Sequence, residues 1–204
     1  MKLYKLTDQN HQTRNNTQWG ENIEYVASGE GKICGPGFIH AYIDSLLAVL
    51  LNPIHANIKD PVLWEAEGDI VKEDYGLKVG CTRLKTIKII FLPEITLEQR
   101  IKFSILCALE VYKEEKFVAW ANKWLSGEDR SSTTAVGVIP FIVYSHDEAL
   151  TSPVRAYYSA YSATYSVSNY SSYSSYSSAQ SVANAIYSAK NKINLIALSK
   201  KACS

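Results

Sequence analysis

The sequence predicts an α+β protein: a small mixed or antiparallel sheet, then a helical pair, then a Tyr/Ser/Ala-rich long helix. Three observations carry this reading. Short apolar segments with strand-like alternation fill the first 92 residues. Thr96 and Gln99 form a capping box that opens two segments of helical spacing. From residue 156 to 189 no charged side chain occurs, yet eight of the fourteen tyrosines fall there. Strands first and helices afterwards favour α+β over an alternating parallel sheet.

The elements follow in order. Residues 2–6 alternate around Leu3 and Tyr4 as a first strand, and the Asn/Gln/Thr-rich stretch 7–22 reads as an exposed loop. A second strand is expected over 23–28. Gly35-Pro36-Gly37 then marks a turn, because glycine tolerates positive φ. Residues 38–42 lead to Asp44-Ser45, a helix cap. The apolar run at 46–51 has no polar face, as a buried helix should, and Asn52-Pro53 stops it. Period two returns over 62–70, and TIKIIFL at 86–92 is a further strand closed by Pro93.

The helix opened by Thr96 presents Leu97, Ile101, Ile105, Leu109 and Tyr112 on one face. A second, over 114–125, presents Phe117, Trp120, Ala121 and Trp124, with Gly127 placed for a left-handed cap. After the polar linker 128–134 comes an apolar run, 136–144, expected as an edge strand or docking segment. Ser152-Pro153 starts another helix, with proline where its missing N–H costs nothing. Ile193, Leu195, Ile196 and Leu198 precede Lys200 and Lys201, which suit a helix C-terminus. The expected organisation is a globular domain at 1–130, a linker or docking segment at 131–152, and a tail at 153–204.

Two readings of the tail compete. Its Ser-rich, charge-free composition fits low-complexity disorder, but abundant tyrosine is unusual in disordered segments. As one continuous helix it would place Tyr158, Tyr161, Tyr165, Tyr173, Tyr176 and Tyr187 in a single stripe, with Tyr157 and Tyr170 outside it. That stripe is the expected self-association surface, making the protein a homo-oligomer.

Composition narrows the function classes. The formal net charge is +1, with 16 Lys+Arg against 18 Asp+Glu in residues 1–130, so the clustered positive field of a nucleic-acid binder is missing. Cys34, Cys81, Cys107 and Cys203 are scattered and read as free thiols of a reducing cytoplasm, with no zinc spacing and no metal or cofactor expected. The N-terminus has no secretory pattern, and no apolar run is long enough to span a bilayer.

Candidate chemistry centres on the glycine turn. Gly29, Gly31, Gly35 and Gly37 do not form a GxxxxGK[ST] phosphate loop. His40 and Tyr42, two residues apart on an extended segment, face one side, as do Glu65 and Glu67. A binding site would use Gly35, Gly37, His40 and Tyr42; a catalytic one would add Glu65 and Glu67. Backbone-satisfied histidine, core tyrosine and surface glutamates are the plain alternative. His55 caps the preceding helix or lines a pocket. Trp19, in a polar loop beside Gly20, is the aromatic expected to stand exposed and touch a partner.

The segments LYKLTD at 3–8, TQWG at 17–20, SGEGKICGPGFIHAY at 28–42, LLAVLLNPIHAN at 46–57, LWEAEG at 63–68, LKVGCTRL at 77–84 and LCALEVY at 106–112 resemble an uncharacterised family of bacteriophage and prophage proteins. The resemblance covers about residues 2–130. Family tails are often Ala/Arg-rich repeats, whereas this chain carries Ser and Tyr and an inserted VIPFIVY. A fainter likeness is to the ADP-ribosyltransferase fold, whose enzymes place His or Arg on a first strand. Residues 2–6 offer neither.

The resemblance implies a phage-type accessory binding protein in the host cytoplasm, acting on a small nucleotide or a host defence protein. The alternatives are a divergent ADP-ribosyltransferase-like enzyme using His40, Tyr42 and Glu65 or Glu67, and a structural protein that polymerises through its tail.

Overall fold

The computed structural model describes residues 1–139, 151–168, 173–190 and 192–204. It confirms the α+β class and consists of two compact units, Met1–Glu94 and Ile95–Ser204. The expected boundary at 130 is therefore corrected: the helical pair belongs with the tail, not with the sheet.

The first unit is built from antiparallel strands. β1 (Lys2–Thr7) is followed by a small excursion, β2 (Gln12–Thr13) and β3 (Thr17–Gln18), within the stretch expected as loop. Asp8 orders its entry, since one carboxylate oxygen accepts from the amides of Asn10 and Gln12 at 2.9 and 2.7 Å. Then come β4 (Glu24–Val26), β5 (Ile39–Ala41), α1 (Ser45–Leu51), β6 (Val62–Glu73) and β7 (Val79–Ile90). Asp44 caps α1 by accepting from the amides of Leu46 and Leu47, and α1 is buried over Leu47–Leu51 as its all-round apolar sequence requires.

β6 and β7 form the long central hairpin. Their turn has Tyr75 and Gly76 both at positive φ, 51° and 83°, and Leu77 N–H donates to Asp74 O at 2.8 Å. Two positive φ values at the turn centre match the twist of the flanking strands. β1 pairs β6 along its length, Leu3 opposite Ala66. β5 pairs the start of β7, and the next residue, Tyr42, pairs Tyr4 of β1 through two backbone hydrogen bonds of 2.8 and 2.9 Å. The order β1-β6-β7-β5 thus returns to β1, and the sheet closes into a small ring.

Its inner face is apolar: Leu3, Ala41, Ala66, Val79, Cys81 and Leu84 are almost wholly buried, together with Trp19. The register accounts for the set, since Leu3 faces Ala66, Ala41 faces Val79, and Cys81 lies between Ile39 and Ile70.

In the second unit the helices are α2 (Leu97–Val111), α3 (Glu115–Ser126), α4 (Ser132–Ala135), α5 (Ser152–Ser168), α6 (Tyr173–Ala189) and α7 (Leu195–Cys203). The capping box is present, with Gln99 N–H donating to Thr96 Oγ1 at 3.1 Å and Thr96 N–H to Gln99 Oε1 at 2.9 Å. Gly127 closes α3 at φ 83°. Residues 136–139 turn rather than extend; the remainder of the expected 136–144 strand, like Tyr170, lies outside the described residues.

The tail forms two helices where a single one was expected. Ser159 and Ser181 donate their hydroxyls to each other's carbonyls at 2.9 and 2.8 Å, and Ser188 donates to Ser152 O at 2.8 Å. Seven residues back on α5 matches seven residues forward on α6, so the helices run antiparallel. Both pack on α2, and Ile101, Ile105, Phe117, Trp120, Tyr157, Ala160, Ala163 and Val167 share one core.

Serine makes this packing possible. Buried Ser104 and Ser166 return their hydroxyls to carbonyls three residues back, Ile101 O at 2.8 Å and Ala163 O at 2.7 Å. Their polar groups are satisfied within their own helix, and their small size lets the backbones approach.

Candidate functional site

β5 carries His40 on the face opposite Ile39 and Ala41, and Tyr42 follows on that same outer face. Upstream, the chain folds tightly: Gly29 N–H donates to Gly37 O at 2.8 Å, and a Cβ on Gly37 would lie 2.0 Å from Glu30 O. Positive φ falls at Gly29 and Gly31, so Gly35 and Gly37 serve the fold through space rather than through the expected left-handed turn. Both brace the loop that brings Ile33 to His40.

His40 Nε2 hydrogen-bonds Ile33 O. A carbonyl only accepts, so Nε2 carries the hydrogen and the neutral ring offers Nδ1 as an acceptor. Tyr42 Oη and His55 Nδ1 are 3.0 Å apart, with the rings stacked at 5.8 Å. His55 reaches this position because the chain turns after α1, where its amide donates to Leu51 O and Asn52 O. Of its two expected roles, the structure shows the side chain beside Tyr42.

Sequence reasoning missed the rest of the cluster. Lys78, at the start of the β7 arm, donates to Cys34 Sγ at 3.2 Å and lies 3.7 Å from Asp74. The Lys78 and Asp74 side chains are only 12% and 8% exposed, so this is a buried charge pair with a thiol at its rim. An acidic and a basic residue flanking Tyr75-Gly76 was the available signal.

Electrostatics unite these groups. Burial, foremost, pushes His55 down to about 3, and the Lys78 charge and His40 act the same way. His40 is also held below its ordinary value, first by burial and then by Lys78 and Lys5, against the bond to Ile33. Burial raises the Tyr42 hydroxyl well above its usual range. At neutral pH the cluster therefore presents two uncharged imidazoles and an un-ionised phenol beside the Lys78–Asp74 pair. That set can supply hydrogen-bond donors and acceptors to a polar ligand, with Asp74 offsetting the Lys78 charge. Among the described residues no three His, Cys, Asp or Glu side chains converge as a metal site.

The other expected residues fall elsewhere. Trp19 is buried, 2% exposed, with Nε1 donating to Thr13 Oγ1 at 2.9 Å and its ring edge-on to Tyr25. The expectation of an exposed Trp19 is corrected: the β2–β3 excursion folds it inward to plug the ring. Glu65 stands opposite Tyr4, one strand from Tyr42, and is held by Lys2 at 3.0 Å, whereas Glu67 is exposed. Neither shows a contact with the histidine cluster.

The tyrosine stripe divides, because its members lie on two antiparallel helices rather than one. Tyr158 and Tyr161 pack on the core of their own unit, and Tyr187 lies under Arg155 at 5.0 Å. Tyr157, expected outside the stripe, is buried and meets Tyr112 edge-on at 6.4 Å. Tyr165, Tyr173 and Tyr176 remain exposed at 41%, 68% and 49%.

The chain matches no known protein family, no curated protein and no solved structure. Among the described residues no helix is long and apolar enough to cross a membrane.

Proposed function

We propose that this protein acts by binding, with His40, Tyr42, His55 and Lys78 receiving a small polar ligand such as a nucleotide. The observation that supports this most is the gathering of two neutral histidines, one of them joined to Tyr42, beside the largely buried Lys78–Asp74 pair. Perturbed ionisable groups gathered in one place mark functional sites more often than ordinary surface does. The phage-protein resemblance adds an accessory role in a bacterial host, where such a module would sequester a nucleotide signal or engage a defence protein. Exposed Tyr165, Tyr173 and Tyr176 would bring copies together, which light scattering on the full chain tests directly.

Thermal shift with AMP, NAD, ADP-ribose and a cyclic dinucleotide tests the site. Saturation at 100-fold over Kd adds about 2.7 kcal/mol of stability. The expected result is a rise in Tm with at least one nucleotide that Lys78→Met and His55→Gln abolish. Four flat titrations would remove the nucleotide reading. Release of nicotinamide from NAD that depends on His40 and Glu65 would replace binding with the transferase reading.

A further inference from the structure

The second unit holds an arrangement that ligand binding in the first does not use. Trp120 of α3 is buried, and among the described residues its Nε1–H has no hydrogen-bond partner. A buried donor left unpaired destabilises a fold, so its retention calls for a reason. The Trp120 ring lies 5.7 Å, centroid to centroid, from Phe117, and Phe117 meets Tyr112 edge-on at 5.6 Å. Tyr112 in turn meets Tyr157 of α5 at 6.4 Å. From there the rings stack one helical turn apart, Tyr157 with Tyr161 at 6.3 Å and 14°, and Tyr161 with Tyr165 at 6.1 Å and 23°. Each step joins neighbouring rings at ordinary aromatic contact distance. The series starts in the core at Trp120, passes half-buried Tyr161 and ends on exposed Tyr165.

Core packing alone is the plain reading of such a series, and two features go beyond it. Packing asks only for phenyl rings, yet Tyr112, Tyr157, Tyr161 and Tyr165 are all phenols, whose hydroxyls resist burial. The indole N–H is likewise left bare. Phenol and indole share one property that phenyl lacks: each gives up an electron to a radical oxidant. An oxidised indole sheds its N–H proton to a hydrogen-bond acceptor. With none beside it, Trp120 keeps that proton and stays the stronger oxidant, able to draw an electron from a phenol. Burial, foremost, and the neighbouring Tyr165 hold the Tyr161 phenol above its ordinary value. At neutral pH it is therefore un-ionised and gives up its proton together with its electron.

We infer that the rings from Trp120 through Phe117, Tyr112, Tyr157 and Tyr161 to Tyr165 form a relay carrying oxidising equivalents from the core of the helical unit to its surface. A peroxyl radical takes one electron from Trp120 and, with a proton from water, becomes a hydroperoxide. Tyr112 returns an electron to Trp120 across Phe117, which bridges without being oxidised, and the Tyr112 O–H proton goes to water. Tyr157 then gives Tyr112 one electron and one proton, Tyr161 does the same for Tyr157, and Tyr165 for Tyr161. At the surface a small enediol reductant gives the Tyr165 phenoxyl one electron and one proton, so its O–H bond re-forms. The sum converts peroxyl radical and enediol into hydroperoxide and enediol radical, and every ring of the relay is restored. The relay is independent of whatever the His40–Tyr42–His55 cluster binds.

The test uses dilute full-length protein with azide radicals, which oxidise indoles ahead of phenols. Nitroso-tert-butane traps the phenoxyl radicals, and peptide mass mapping locates the adducts. Tyr176 is the internal control, since it is more exposed than Tyr165 and makes no ring contact among the described residues. Tyr165 should carry about ten-fold more adduct than Tyr176. Tyr161→Phe, which keeps the ring and removes only the hydroxyl, should bring the two level, and Trp120→Phe should do the same from the other end. The inference fails if Tyr176 labels as heavily as Tyr165 in the unaltered protein, a comparison that needs no variant. It fails equally if either substitution, with circular dichroism unchanged, leaves the ratio where it was.

Discussion

Tyr42 Oη lies 3.0 Å from Nδ1 of His55, thirteen residues further along the chain. The contact ties the end of β5 to the turn after α1. Tyr42→Phe removes the hydroxyl and leaves a buried ring nitrogen without its partner. The expected cost is about 1–3 kcal/mol, read as a lower urea midpoint at unchanged slope.

The same histidine makes the first unit acid-sensitive. His55 titrates at about 3 when folded and near its ordinary 6.5 when unfolded. Between those values the unfolded chain binds more protons, so stability falls as the pH drops, by up to roughly 1.4 kcal/mol per pH unit. Above 6.5 the effect is absent. His40 is shifted in the same direction and adds to it. Denaturant melts from pH 7.5 to 4 should show the loss, and His55→Gln should flatten it.

Gly37 has no room for a side chain. Gly37→Ala forces the loop away from Glu30 and takes Ile33 with it. The expected loss is at least about 3 kcal/mol by chemical denaturation, while Gly31→Ala, which meets no neighbour but carries positive φ, should cost only about 1 kcal/mol.

Small residues set the spacing of α5 and α6. Ser181 is fully buried and exchanges hydroxyl bonds with Ser159. Ser181→Ala should cost below about 1 kcal/mol. Ser181→Leu must part the helices, which costs about 3 kcal/mol and broadens the thermal transition of the second unit.

Truncation separates the observed boundary from the one expected at residue 130. A 1–94 fragment keeps every strand found among the described residues and should fold cooperatively. A 1–130 fragment leaves Ile101, Ile105, Phe117 and Trp120 without the α5 residues they pack on. Its helical circular dichroism should fall well short of that for α2 and α3, with dye binding to the exposed apolar face.

Local chemistry was legible in the sequence, and long-range closure was not. The Thr96–Gln99 box, the Gly127 cap and the shared face of His40 and Tyr42 follow from near neighbours, and all are present. β7 begins earlier than TIKIIFL indicated, because Gly80 interrupts the alternation and Tyr75-Gly76 is not a familiar hairpin dipeptide. Trp19 sat among polar neighbours, and only the ring interior explains its burial. His55 and Lys78 join Tyr42 and Cys34 through folding of the whole unit, which no spacing rule encodes. The division into α5 and α6 was hidden because both helices are built of the same Tyr, Ser and Ala residues. Buried serine read as disorder-prone because its hydroxyl was weighed against the core rather than against its own helix.

The closed ring also governs when the first unit can form. Of the unit's strands β1 is made before its partners, so Leu3 has no strand partner until Ala66 emerges, and the ring stays open until Val79 can meet Ala41. Pairings this distant in sequence raise the contact order and slow folding. The N-terminal strand must therefore be kept from wrong partners for most of the unit's synthesis, and its two lysines, Lys2 and Lys5, discourage such pairing meanwhile.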